Sequence, residues 1–214
     1  MNDKLHLSSE FVNTPRLVTP QPSESRRSDP RCLRTRSLLR AALSELLEVK
    51  SFERISIAEI ADTASLNRVT FYDHYVDKVA LLDDLVAARF DELLRQRGVT
   101  FGSCENFLTA LILAVYDYLG AAPWLASGTR VKTQSHLETA MVTVVNTKLL
   151  AGMQHESDTL TNNALIASAA SWAIYGATKQ WLSNGSSRNP QIDVEKIASL
   201  VSPILDKATW QHRD

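Results

Sequence analysis

The sequence predicts an all-α protein in which a short N-terminal unit of three helices is joined to a longer helical domain. Apolar residues recur at helical spacing along most of the chain, and no segment shows the alternation typical of a strand. Glycine and proline are scarce, with seven of each, which disfavours a many-turned β structure. Helix-capping patterns follow one another closely between Ser56 and Asp77, so the connections there are tight turns.

The composition is that of an ordinary globular protein. Hydrophobic residues make up 44% and charged residues 22% of the 214 residues, unlike a disordered chain. The formal net charge of −1 gives no overall attraction to nucleic acid or to an anionic membrane, so any such binding has to be local. No apolar run reaches the roughly 18 residues of a membrane span, and the N-terminus lacks the apolar core of a signal peptide. We therefore expect a cytoplasmic protein without membrane contact, in which Cys32 and Cys104 are reduced thiols.

Residues 1–28 are rich in Ser, Pro, Thr and Asn and lack periodic apolar positions, so we expect a flexible N-terminal arm. A local excess of positive charge overlaps the end of this arm. It consists of six arginines opposed only by Asp29, namely Arg26, Arg27, Arg31, Arg34, Arg36 and Arg40. Two interpretations stay open: the arginines form a solvated helix face, or they attract a nucleic-acid backbone without sequence preference.

The first two helices have clear start signals. Asp29 and Pro30 supply an N-cap and a proline at the first helical position. Leucines at helical spacing then extend this first helix to about Val49. The second helix starts with a capping box, in which Ser56 is the cap and Glu59 follows three residues later.

The third and fourth helices begin in the same way. Asn67 caps a helix of about residues 68–75, and Asp77 caps a longer helix that runs to about Arg97. Only two or three residues separate the second helix from the third. This spacing is typical of a helix-turn-helix, in which the second member is presented outward.

Residues 65–78, SLNRVTFYDHYVDK, place three aromatic rings on and beside the short third helix. Phe71 and Tyr75 are four residues apart and therefore share one face of this helix, which we predict to be core. Arg68 and Tyr72 lie elsewhere on the helix and are predicted to face outward.

The residue types on the predicted outer face suit the major groove of DNA. Arg68 can donate two hydrogen bonds to guanine, and Val69 offers an apolar surface to a thymine methyl. The neighbouring hydroxyls and imidazole can donate to phosphate oxygens, as can the free N–H groups at the start of the second helix. A lysine adds positive charge at the start of the fourth helix. The predicted DNA-binding residues are Ser56, Asn67, Arg68, Val69, Thr70, Tyr72, His74 and Lys78.

Segments 55–61, 64–78 and 81–82 resemble the DNA-binding domain of the TetR/AcrR family of transcriptional regulators. The matching features are the Ile-Ala of the second helix, the Thr-Phe-Tyr-x-His-aromatic core of the third, and the Lys-x-x-Leu that follows. The resemblance implies a helix-turn-helix domain at 29–76, a connecting helix at 77–97, and a ligand-binding and dimerisation domain at 98–214. It further implies a cofactor-free repressor that binds a palindromic operator as a homodimer and responds to an unknown small-molecule effector.

Helical periodicity continues beyond Gly98 at about 104–120, 130–153, 161–182 and 192–208. The resemblance implies that the last two segments form a four-helix bundle with a second copy. The predicted interface residues are Trp181, Leu182, Ile197, Leu200 and Val201. The resemblance also implies an effector pocket in this domain, although a lone aromatic at helical spacing is usually part of the core. The predicted pocket residues are Tyr116, Trp124, His136, Met141, Trp172 and Tyr175.

Three residues depart from the family pattern. Ser65 stands in the turn and Ser51 in the loop before the second helix, where family members often have glycine. A left-handed backbone at either position costs serine about 1 kcal/mol relative to glycine. Asp73 places a carboxylate on the predicted DNA-facing helix, where it either reads a cytosine amino group or points away.

Other classes of function have less support. The sequence shows neither a glycine-flanked nucleophile nor a glycine-rich phosphate loop, so we predict no enzyme and no catalytic residues. No metal site is predicted, because His136 has no second ligand at a suitable spacing. The alternative that remains is a dimeric helical adaptor, which acts through protein partners without sequence-specific DNA binding.

Overall fold

The computed structural model describes residues 29–98, 104–121, 131–153, 160–184 and 190–206. The predicted all-α fold is confirmed, and none of the helices in these ranges is long and apolar enough to cross a membrane. The described ranges form α1 (Pro30–Val49), a 3-10 turn (Phe52–Arg54), α2 (Ile57–Thr63), α3 (Arg68–His74), α4 (Lys78–Gln96), α5 (Cys104–Ala121), α6 (Val131–Gly152), α7 (Leu160–Ser183) and α8 (Pro190–Leu205). The predictions for the arm at 1–28 and for Trp124 lie outside the described residues.

The four predicted N-caps are confirmed. The carboxylate of Asp29 accepts a hydrogen bond of 2.9 Å from the N–H two residues on. The amide oxygen of Asn67 accepts one of 3.0 Å in the same way, and Asp77 accepts one of 2.8 Å from the N–H three residues on. Ser56 and Glu59 make both bonds of the capping box. Such caps satisfy backbone donors that a helix start otherwise leaves unpaired.

Helices α1, α2 and α3 pack together as the N-terminal unit. Phe52, Ile60 and Phe71 fill its centre and are closed to solvent. The turn from α2 to α3 passes through Ser65, whose φ of 55° is left-handed. The loop residue Ser51 has a φ of −70°, so the left-handed backbone considered for it does not occur.

Helix α4 belongs to both halves of the fold, because it packs against α1 and also against α5 and α6. The second half is a bundle in which α7 contacts α5, α6 and α8. Two ion pairs attach α4 to this bundle. Arg97 pairs with Asp117, and Asp91 lies 2.5 Å from the ammonium of Lys148.

Candidate nucleic-acid interface

Helix α3 has one buried face and one exposed face. Phe71 and Tyr75 are buried against the N-terminal unit, whereas Val69 is 66% exposed and Tyr72 is 58% exposed. Arg68 is exposed beside them. The side chains considered for base contacts therefore lie on the solvent side of a short, well-anchored helix.

The polar residues around this face differ in accessibility. Asn67 is exposed, and its amide oxygen is engaged in capping α3. Thr70 is half-buried, and Asp73 is exposed near the end of the helix. A carboxylate at this position repels phosphate, so it restricts how closely the C-terminal end of α3 approaches a nucleic-acid backbone.

The start of α2 is already occupied by a carboxylate. Glu59 accepts hydrogen bonds of 2.9 Å from the N–H and from the hydroxyl of Ser56, and it also pairs with Lys50. The Lys50 ammonium and the two Ser56 donors lower the pKa of Glu59 to about 2, so the side chain is ionised at neutral pH. The hydroxyl and N–H of Ser56 are therefore used inside the protein, and a phosphate at this helix start would meet a negative charge.

A network of partly buried hydrogen bonds connects the end of α3 to α1 and α4. The hydroxyl of Tyr75 donates to Asp84 at 2.5 Å, and Arg36 donates to the same carboxylate at 2.6 Å and to the Tyr75 oxygen at 3.2 Å. Arg40 lies 3.4 Å from the second oxygen of Asp84. Two members of the predicted arginine excess therefore hold the fold together, while Arg31 and Arg34 remain exposed.

His74 is half-buried at the last position of α3, with Nδ1 lying 3.5 Å from the sulfur of Cys32. Burial lowers the pKa of His74, Asp73 opposes this effect, and Arg36 adds to it. The imidazole is therefore neutral at pH 7, and any phosphate contact it makes is a single N–H hydrogen bond without a charge.

Lys78, which we predicted to add positive charge for a phosphate contact, is engaged with the protein backbone. Its ammonium donates to three backbone carbonyls, those of Phe52 at 2.9 Å, Glu53 at 3.2 Å and Ile55 at 2.8 Å. An ammonium group has three donors, and all three are used within the protein. The predicted phosphate contact of Lys78 would therefore require the ammonium to leave these carbonyls, and no local sequence signal pointed to this partner set.

Among the described residues, those considered for an effector pocket differ in burial and in partners. Met141 and Tyr175 are buried, and the Tyr116 ring stacks on that of Trp181 with centroids 4.4 Å apart. His136 reaches the N-terminal unit, where its ring lies 5.3 Å from that of Phe52. Trp172 is 53% exposed, so it lines no enclosed site within one protomer.

The residues considered for a dimer interface also divide. Trp181 is only 9% exposed, and Ile197 and Val201 are buried in the core of the protomer, so these three offer little surface to a second copy. Leu182 is half-buried, whereas Leu200 is 70% exposed. The sequence analysis missed Leu165, which is 67% exposed. Its spacing of seven from Trp172, two helical turns on one face, was the available signal.

Comparison with known proteins finds a family similarity near the N-terminal end of the described residues. Residues 38–85 match the family described as bacterial regulatory proteins, tetR family. The uncharacterized HTH-type transcriptional regulator YxbF of Bacillus subtilis (strain 168) is 30% identical over 90 residues, which are 42% of this chain and 23% of that relative. The match thus spans less than a quarter of the relative's length. The match to this family thus lies within the helix-turn-helix region and the start of α4.

Two solved structures of TetR transcriptional regulators are similar to this chain. A TetR transcriptional regulator from Rhodococcus sp. RHA1 is 18% identical, with a TM-score of 0.49 over 82% of this chain and 98% of that one. The TetR transcriptional regulator from Streptococcus agalactiae 2603V is 19% identical, with a TM-score of 0.47 over 79% and 94% of the two chains. Both TM-scores are below 0.5 and both identities are below 25%, so the similarity that bears on function is the match at residues 38–85.

Proposed function

We propose that the protein is a transcriptional repressor that binds a palindromic DNA operator as a homodimer and responds to a small-molecule effector. The observation that carries this proposal is the two-sided α3, which exposes Arg68, Val69 and Tyr72 and buries Phe71 and Tyr75. A helix of this kind, presented by a helix-turn-helix, suits insertion into the major groove. We assign DNA binding to residues 29–76, the connection to 77–97, and effector binding and dimerisation to 98–214.

The exposed side chains have distinct roles in this proposal. Arg68 donates to a guanine through its two-pronged guanidinium, and Val69 contacts a thymine methyl. Thr70, Tyr72 and His74 donate to phosphate oxygens and so set the register of α3 on the duplex. Asn67 fixes the start of α3, since its side chain caps the helix.

Dimerisation is proposed through the exposed apolar face of α7 and α8. Leu165 and Trp172 share one face of α7, and Leu200 on α8 is similarly exposed. Side chains of this size on a surface are typical of a protein interface, and aromatic residues there contribute most of the binding energy. A two-fold dimer presents two copies of α3, which reach successive major grooves when they lie about 34–36 Å apart.

The effector is proposed to bind inside the α5–α8 bundle. Tyr116, Met141 and Tyr175 place aromatic and polarisable surface in that domain, which suits a small, mostly apolar molecule. A ligand that favours one arrangement of the bundle by a few kcal/mol changes the DNA-bound fraction decisively.

DNA selection from a random duplex pool tests the proposal. Wild-type protein should enrich two inverted half-sites centred about 10 bp apart or a multiple of that spacing. Arg68→Ala should weaken binding to the enriched duplex by roughly 1–3 kcal/mol. The matched control is Arg95→Ala, because the side chain of Arg95 is 75% exposed and lies near the far end of α4. A stable dimer that enriches no sequence would support the adaptor alternative and refute the repressor.

A further inference from the structure

The ammonium of Lys78 has a second engagement besides its three carbonyl bonds. It lies over the Phe52 ring, 4.8 Å from the ring centroid. The first residue of α4 therefore holds the turn Phe52–Arg54 through both its backbone and its aromatic side chain. Because the three donors converge on one short turn, they fix its orientation as well as its distance from α4.

The turn Phe52–Arg54, which Lys78 contacts, lies directly before the helix-turn-helix. Ile55 follows the turn, is buried, and accepts one of the three Lys78 hydrogen bonds through its carbonyl. The next residue is Ser56, the cap of α2. Helix α2 in turn carries α3 through the tight turn at Ser65. The position of the turn therefore determines where the exposed face of α3 lies relative to α4.

The same turn is contacted from the second half of the fold. The His136 ring of α6 lies 5.3 Å from the Phe52 ring at an interplanar angle of 60°. Phe52 is thus held by a cation from α4 and by a ring from α6. This contact joins the C-terminal bundle to the N-terminal unit directly, in addition to the ion pairs that α4 makes with α5 and α6.

We propose that Lys78 is a positioning residue, which fixes the Phe52–Arg54 turn and with it α2 and α3 against α4 and His136, and that it does not bind phosphate. This inference rests on the proposed DNA binding for its functional consequence. The alternative is that Lys78 releases its carbonyls and contacts the DNA backbone when the duplex is bound.

Substitution of Lys78 by arginine separates the two roles. Arginine keeps the positive charge and binds phosphate well, but its planar fork cannot direct three donors onto three converging carbonyls. For a positioning residue, Lys78→Arg should therefore weaken binding of the selected duplex about tenfold or more. For a phosphate ligand, Lys78→Arg should retain wild-type affinity.

The salt dependence of binding supplies a second readout. Loss of a phosphate contact lowers the slope of log K against log salt by about 0.9 per contact. Lys78→Met should leave this slope unchanged if the residue only positions the turn, and lower it if the residue binds phosphate. Arg34→Met serves as the control, because Arg34 is an exposed member of the arginine excess considered for contacts with the DNA backbone, and its loss should reduce the slope.

Hydrogen exchange tests the positioning role without DNA. The Arg54 N–H bonds to the Ser51 carbonyl at 3.0 Å and the Ile55 N–H to the Phe52 carbonyl at 3.1 Å. Both amides should exchange faster in Lys78→Arg, whereas the α7 amides should be unchanged. Wild-type exchange together with wild-type affinity in this variant would overturn the inference. Faster exchange without any duplex selected by the wild-type protein would support the positioning of the turn and refute only the proposed function.

Discussion

The Tyr75 hydroxyl and the Asp84 carboxylate form a hydrogen bond of 2.5 Å between the residue that ends α3 and the middle of α4. Burial raises the pKa of Tyr75, and the bond to Asp84 acts in the same direction. The phenol therefore stays protonated and is a hydrogen-bond donor at neutral pH. Helix α3 is thus attached to α4 at its C-terminal end by this bond.

Removing the Tyr75 hydroxyl should destabilise the protein. Tyr75→Phe leaves the ring in the core but deletes a bond to an ionised acceptor, which should cost about 1.5 kcal/mol of unfolding free energy. Urea unfolding measures the loss. Tyr72→Phe is the matched control, since its hydroxyl belongs to an exposed side chain and its removal should change stability by less than about 0.5 kcal/mol. Equal effects of the two substitutions would contradict the structural role of the bond.

Glycine at position 65 should stabilise the fold. Ser65 has a φ of 55°, where a side chain is strained, so Ser65→Gly should raise the unfolding free energy by about 1 kcal/mol. Ser65→Ala retains a Cβ and should therefore show no gain. Thermal unfolding of the two variants side by side measures the difference, and a similar melting temperature for both would show that the left-handed turn is not strained.

The free energy of unfolding should decrease as the pH is lowered, in part because of His74. Its folded pKa lies below the ordinary value of 6.5, so the unfolded state binds more protons than the folded state at mildly acid pH. The contribution of His74 is complete above pH 6.5 and is lost as the pH falls towards the folded pKa. His74→Gln should therefore lose less unfolding free energy than wild type between about pH 7.5 and about pH 5.5. Parallel curves for the two proteins would refute this role.

Two tryptophans of α7 should behave in opposite ways. Trp181 is buried and stacked on Tyr116, so Trp181→Ala should cost about 3–5 kcal/mol of protomer stability. Trp172 is exposed, so Trp172→Ala should leave the protomer folded but weaken self-association by roughly 2 kcal/mol or more. Sedimentation and denaturant unfolding measure both quantities. A Trp172→Ala dimer as tight as the wild type would place the interface on another face.

Much of the N-terminal unit could be predicted from sequence. The caps at Asp29, Ser56, Asn67 and Asp77 are confirmed because a cap is a bond between residues two or three positions apart, and short-range spacing specifies it. The division of α3 into two faces was predicted for the same reason, since helical periodicity alone sets which side chains share a face. The left-handed turn at Ser65 was anticipated from the family's glycine at that position.

The contacts that the sequence did not predict all concern partners distant in sequence. The positive charge of Lys78 suits a phosphate ligand, but its three carbonyl partners lie 23 to 26 residues earlier in the chain. Trp181 and Trp172 stand on one helix and look alike in sequence, yet Trp181 is buried against Tyr116 of α5 whereas Trp172 is exposed. Periodicity identifies a face of a helix but does not tell which neighbouring helix, if any, covers it.

The sequence by itself therefore determined the helices, their starts and the two-sided character of α3, because these depend on bonds and spacing within a few residues. Only the tertiary structure decided that the Lys78 ammonium meets backbone carbonyls, that Asp84 anchors α3, and that Leu165, Trp172 and Leu200 are exposed on α7 and α8. Those outcomes depend on which helices meet after the chain folds, and the free energy that selects the arrangement is spread over the whole core.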